Sequence, residues 1–160
     1  MALYETNTED VVDIDLSESK KKKFRINGDN NRILELNTSD LAIIRRLSKI
    51  YPKLNKLTQE AAVLMSENVE DMSVEEGLVK MSDALESIDA QMRGYLDELF
   101  DSNVSEVCAP TGSMYDPFAG KFRFEHIIEK LSSLYENDFS KEFNSMRKRV
   151  QKYTDKYTQK

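Results

Sequence analysis

With 160 residues the chain is long enough to bury one core without a disulfide or metal staple. Its 39% hydrophobic and 32% charged content suits amphipathic helices and excludes disorder along most of the length. One His, one Cys and no Trp exclude an internal disulfide and leave too few ligands for a zinc site, and no apolar run reaches the ~18 residues of a membrane span.

The net charge of −6 is strongly segregated. Residues 1–19 hold six acids and no Lys or Arg, residues 20–56 carry +8, residues 57–107 carry −11 and residues 108–160 carry +3. Opposite blocks are expected to meet within the fold or across an assembly interface, where complementary fields favour one docking register. The plainer alternative is a solvated face. The acidic N-terminus is opposite in sign to a secretory signal, so the expectation is a soluble, intracellular, cytoplasmic protein.

In chain order, residues 1–21 read as an acidic tail or an edge strand, because Val12, Ile14 and Leu16 alternate with Asp13 and Asp15. Residues 22–160 read as one helical domain. It opens on a β-hairpin (22–37) in which two apolar, partly β-branched runs flank Gly28-Asp29-Asn30-Asn31. Asp13 and Asp15 would then lie across from Lys23 and Arg25 in a third strand. A helix follows Asn37-Thr38-Ser39-Asp40, with Thr38 or Ser39 as cap and Asp40 at the positive end of the dipole. Pro52 lies inside this helix and either kinks it near Lys49 or breaks it in two.

The next helix starts at the capping box Ser73-Val74-Glu75-Glu76. A short turn around residues 68–72 makes the two helices (about 40–66 and 73–101) an antiparallel hairpin. Along the second helix Val74, Leu78, Met81, Leu85, Ile88, Met92, Tyr95 and Leu99 are spaced alternately four and three residues apart. That is a heptad seam, about 37 Å long at ~1.5 Å per residue. Its residues Met81, Leu85, Ile88 and Met92 are expected to be buried, within the chain or in an oligomer. Residues 102–121 hold two of the three prolines and two of the five glycines and read as a structured loop. A long, finally basic helix over about 122–157 closes the chain. The expected fold class is mainly α: a helical hairpin, a long C-terminal helix and a small N-terminal β-hairpin.

Candidate sites are few. His126 lies between Glu125 and Glu129, but Glu-x-x-His bundle sites need the reverse order and a second copy, so no metal site is expected. Gly112 and Gly120 are too far apart for a phosphate loop, and Phe122 follows Lys121 where Ser or Thr belongs. Cys108 has no oriented base near it in sequence and reads as a quiet, partly buried thiol. The basic stretches 20–23 and 147–160 raise nucleic acid as a ligand, but the acidic middle competes for the same cations. Neither catalysis nor a cofactor is expected. The aromatics Tyr115, Phe118 and Phe122, with Phe124, are the better candidates. Either they fold back on the helical hairpin, or they anchor a protein partner.

Phe24-Arg25-Ile26-Asn27-Gly28 with Asn37-Thr38-Ser39-Asp40-Leu41, and later Phe122-Arg123-Phe124-Glu125-His126-Ile127-Ile128 after a Pro-Thr-Gly loop, resemble the short tail assembly chaperones of tailed phages of Gram-positive bacteria. The resemblance spans roughly residues 22–135. It implies a mostly helical, non-enzymatic protein of the infected host's cytoplasm that coats a tape-measure protein or helps tail-tube subunits assemble around it. The basic extension after Glu136 departs from that pattern. A self-associating helical adaptor or scaffold, a homo-oligomer through the heptad seam, fits the periodicity equally well.

Overall fold

The computed structural model describes residues 10–16, 21–66 and 73–158. The elements run β1 (Lys22–Arg25), β2 (Ile33–Leu36), α1 (Ala42–Ser66), α2 (Val74–Phe100), α3 (Val104–Cys108), β3 (Pro117–Phe118), β4 (Lys121–Phe122) and α4 (Arg123–Thr158). This is the mainly α class expected, with a two-stranded N-terminal hairpin and a long last helix.

β1 and β2 pair antiparallel, Arg25 opposite Ile33. Asn27 and Gly28 both adopt positive φ, and the Asp29 N–H donates to the Ile26 carbonyl at 3.0 Å. Two consecutive left-handed residues make this a type I′ turn, whose twist matches the strands. It starts one residue earlier than the sequence suggested. A second turn from Asp29 to Arg32 follows, in which the Asp29 carboxylate accepts from the Asn31 N–H at 2.9 Å. β2 alternates cleanly: Leu34 and Leu36 are buried, while Ile33 and Glu35 face out.

The expected third strand is absent among the described residues. Residues 11–16 have no regular structure, and Val12, Ile14 and Leu16 are exposed. Alternation needs a face to bury, and Lys23, one of the two cations meant to hold the strand, approaches Glu35 across the hairpin instead. The neighbouring Lys22 pairs with Asp138 on α4 at 2.7 Å. The turn expected at 68–72 lies outside the described residues.

α1 is capped by Asp40, whose carboxylate accepts from the Ala42 N–H at 3.0 Å. Thr38, a cap candidate, instead donates its hydroxyl to Asp138, so the start of α1 is tied to α4. These bonds from Lys22 and Thr38 hold the Asp138 carboxyl below the ordinary carboxylate range. A depressed native value means stability that is present above the unfolded value near ~4 and lost as pH falls through the native one. Asp138→Asn should therefore cost about 1 kcal/mol at pH 7, because one partner is exposed. The difference from wild type should shrink as pH drops below about 4. A gap that is constant with pH in urea titrations would remove this linkage.

α1 continues through Pro52 without a break. Pro52 and Ser48 are both exposed, so water can bond the Ser48 carbonyl that proline leaves without a donor. α1 and α2 form the antiparallel hairpin: Arg46 Nε donates to the Leu99 carbonyl at 2.8 Å, and Lys53 lies over the Tyr95 ring, 5.5 Å from its centre. Ser73 caps α2 as expected, accepting from the Glu76 N–H at 3.2 Å.

The heptad seam divides in two. Ile88, Met92 and Leu99 are buried in the core with Leu34, Leu54, Leu96, Phe100 and Phe124. Met81 and Leu85, expected to be buried, are only half-buried, and Leu78 and Val74 are 61% and 79% exposed. The cause lies in the connection from α3 to α4. It reaches back along α2 to Asp89, which accepts from the Met114 N–H at 2.7 Å, and ends beside Leu85, where Tyr115 lies. Towards its N-terminus, the open half of the seam continues past that cover.

Among the described residues no ion pair joins segment 20–56 to segment 57–107. The basic segment nevertheless docks on the acidic one, through carbonyls. Arg46 bonds the Leu99 carbonyl, and Arg32 donates to the carbonyls of Val107 and Cys108 at 2.9 and 3.0 Å. Helix C-termini leave carbonyls without donors and carry partial negative charge, which suits guanidinium groups.

Candidate partner-binding site

The segment 102–121, expected as a loop, contains the short helix α3, the two-residue strand β3 and the first residue of β4. Asp97 of α2 supplies the start of α3: its carboxylate accepts from the Ser105 N–H at 2.7 Å and from the Ser105 hydroxyl at 2.9 Å. Arg93 gathers the chain between α3 and β3. Its Nε bonds Asp89 at 2.8 Å, and its terminal nitrogens donate to the carbonyls of Ser105, Ala109 and Gly112 at 3.2, 2.8 and 2.7 Å. A flat guanidinium donates in several directions at once, which an ammonium does not.

Glycine is favoured at position 112 by its positive φ. A Cβ there would meet the Arg123 guanidinium at 2.6 Å and Asp116 at 2.8 Å, and its φ is +80°. The Arg123 side chain donates to the Thr111 carbonyl, and the Phe124 N–H to the Met114 carbonyl at 2.9 Å. Ala119 and Gly120, both at positive φ, turn β3 into β4. Glu125 then caps the start of α4 by accepting from the Phe122 N–H at 3.1 Å. This connection is fixed by its own backbone bonds.

The three sequence candidates do not form one patch. Tyr115 is half-buried against the core, next to Leu85 and Ser113. Phe122 is half-buried and stacked on Phe124, ring centres 5.9 Å apart. Phe118 alone stands out, 50% exposed, with its ring 4.5 Å from that of His126. Of the two alternatives, Tyr115 and Phe122 fold back on the core, while Phe118 leaves half of its ring open.

Phe118 stands on the rim of a cleft of about 330 Å³. Its apolar lining includes Ile26, Ile127 and Leu131; Arg25, Arg123 and Lys130 surround these, with His126 beneath Phe118. Sequence reasoning missed this convergence, because Arg25 belongs to β1 and the others to α4. Cys108 also lines the cleft. Burial pushes its thiol up to about 11, so it is neutral near pH 7 and a poor nucleophile. Among the described residues, no group of three or more His, Cys, Asp or Glu is placed to hold a metal ion, and no helix is long and apolar enough to cross a membrane.

No family model, curated protein or solved structure matches this chain.

Proposed function

We propose that this protein is an assembly chaperone of the phage-tail type, which holds an amphipathic helix of a tape-measure protein against the cleft beside Phe118. The observation that carries the reading is a large, half-exposed aromatic ring on a fixed connection, above an apolar floor ringed by three cations. Aromatic anchors of this kind dominate the energy of protein interfaces. The floor suits the apolar stripe of a helix, and the cations suit acidic residues flanking that stripe. The mostly helical fold and the resemblance of residues 22–135 support the same reading, and the host cytoplasm is its setting.

Phe118→Ala should weaken binding of such a helix at least about tenfold, since hot-spot aromatics typically cost ~2 kcal/mol or more when truncated. The ring is half-exposed, so circular dichroism and melting temperature should barely move. Titration calorimetry with a synthetic tape-measure helix checks this. Equal affinity of the variant and the wild type would remove the cleft from the interface. Failure of the wild type to retain any co-expressed tape-measure protein would remove the function.

A further inference from the structure

Among the described residues two helical surfaces lack cover, and they match each other. One is the open half of the α2 seam: Leu78, Met81 and Leu85 line a groove of about 480 Å³ that Tyr115 closes at one end. Its outer rim is acidic, with Glu86 beside it and Glu75 one helical stretch away on the same flank. The other is the second half of α4. Phe139 is the last residue packed against the core, and residues 140–149 are all exposed, Phe143 and Met146 included. From Phe139 the sequence runs on through Phe143, Met146, Val150, Tyr153 and Tyr157 at alternating spacings of four and three. This is a second heptad seam, and a helix repeats such a pattern when the seam faces a partner. Arg147 and Arg149 flank it on opposite sides, and neither makes an ion pair among the described residues.

The two surfaces cannot meet inside one copy. Phe124 bonds Met114, which bonds Asp89, while Tyr135 packs its ring 6.0 Å from that of Phe100. α4 therefore runs alongside α2 in the same direction. From Leu78 to Phe100 is about 33 Å at ~1.5 Å per residue, and Phe143 lies a further ~12 Å beyond Tyr135. The open α2 seam and the free half of α4 sit at opposite ends of the molecule.

We propose that a second copy of this chain lays the free half of its α4 in the open α2 groove, and that the exchange is reciprocal in an antiparallel, two-fold dimer. Side-by-side antiparallel copies bring each end of one against the complementary end of the other, so both contacts form together and the assembly closes. Apolar side chains meet along the two seams, and the Arg147 side of one copy faces the Glu75 and Glu86 side of the other.

Sedimentation velocity on the full chain tests this. A dimer is expected at about 50 mM salt and at least about tenfold weaker association at 500 mM, because the Debye length falls from ~14 to ~4 Å. Arg147→Glu should weaken the dimer at least about tenfold, as should Glu75→Lys with Glu86→Lys. All three residues are exposed, so circular dichroism should be unchanged. Combining the three reversals should restore the wild-type dissociation constant to within about threefold. Any one of these results overturns the proposal: a monomer at about 100 µM in low salt, a concentration-dependent ladder of larger species, indifference to salt or to either reversal, or no recovery in the combined variant.

Discussion

Replacing Arg93 by alanine is expected to lower the free energy of unfolding by about 3–5 kcal/mol, the usual cost of breaking a largely buried pair from one side. The side chains of Arg93 and Asp89 are 22% and 19% exposed. Removing the guanidinium leaves the Asp89 carboxylate without its cation and the carbonyls of Ala109 and Gly112 without their donor, while the Ser105 carbonyl keeps only the Ala109 N–H. Small domains hold only about 5–15 kcal/mol in total, so the loss is a large share of it. Arg93→Lys should recover less than half, because an ammonium cannot reach several carbonyls from one position. Urea denaturation gives the magnitude, and amide exchange across residues 105–114 shows where order is lost. A loss below about 1 kcal/mol would put Arg93 among the ordinary surface pairs.

Phe100→Ala should cost a similar amount, about 3–5 kcal/mol. The ring is 2% exposed, among the largest fully buried side chains, and it packs on Tyr135. It therefore joins the end of α2 to the middle of α4, and truncation opens a cavity where the two helices meet. Leu85→Ala is the useful contrast, since Leu85 belongs to the same helix but is half-buried. Measured on the monomer, at about 500 mM salt where association is weak, it should cost less than the ~2 kcal/mol that marks the lower end for fully buried leucines. Equal losses at both positions there would mean that the open half of the seam is covered within one copy.

The parts of this fold that were legible in sequence are those written in local chemistry. Ser73 with Glu76 announced the start of α2, Asn27-Gly28 lay at the edge of the predicted turn, and the four-three spacing gave the length of α2. What the spacing did not carry was how far the cover extends, because cover comes from Met114 and its bond to Asp89, residues far apart in the chain. The alternation at Val12, Ile14 and Leu16 failed for the same reason: a pattern names a face, not its neighbour. α3 was invisible because its cap is Asp97, eight residues before Ser105 and on another helix. Thr38 looked like a local cap and bonds a residue 100 positions away. Of the candidate site, Phe118 was legible as an aromatic in a loop, but the cations around its cleft were not. Arg93 had left a signal of its own: residues 57–107 hold two bases against thirteen acids, and a lone arginine in an acidic helix marks a place where carbonyls or carboxylates need a donor.

The contact between Phe118 and His126 has a practical side. His126 is the only histidine in the chain, so its two imidazole carbon-bound protons stand in a proton NMR spectrum without neighbours of their kind. The Phe118 ring, 4.5 Å away, displaces those signals by its ring current, and the displacement vanishes when the ring swings off. The molecule thus carries its own label-free gauge of whether the Phe118 side chain rests on His126 or has been drawn off it by a bound partner.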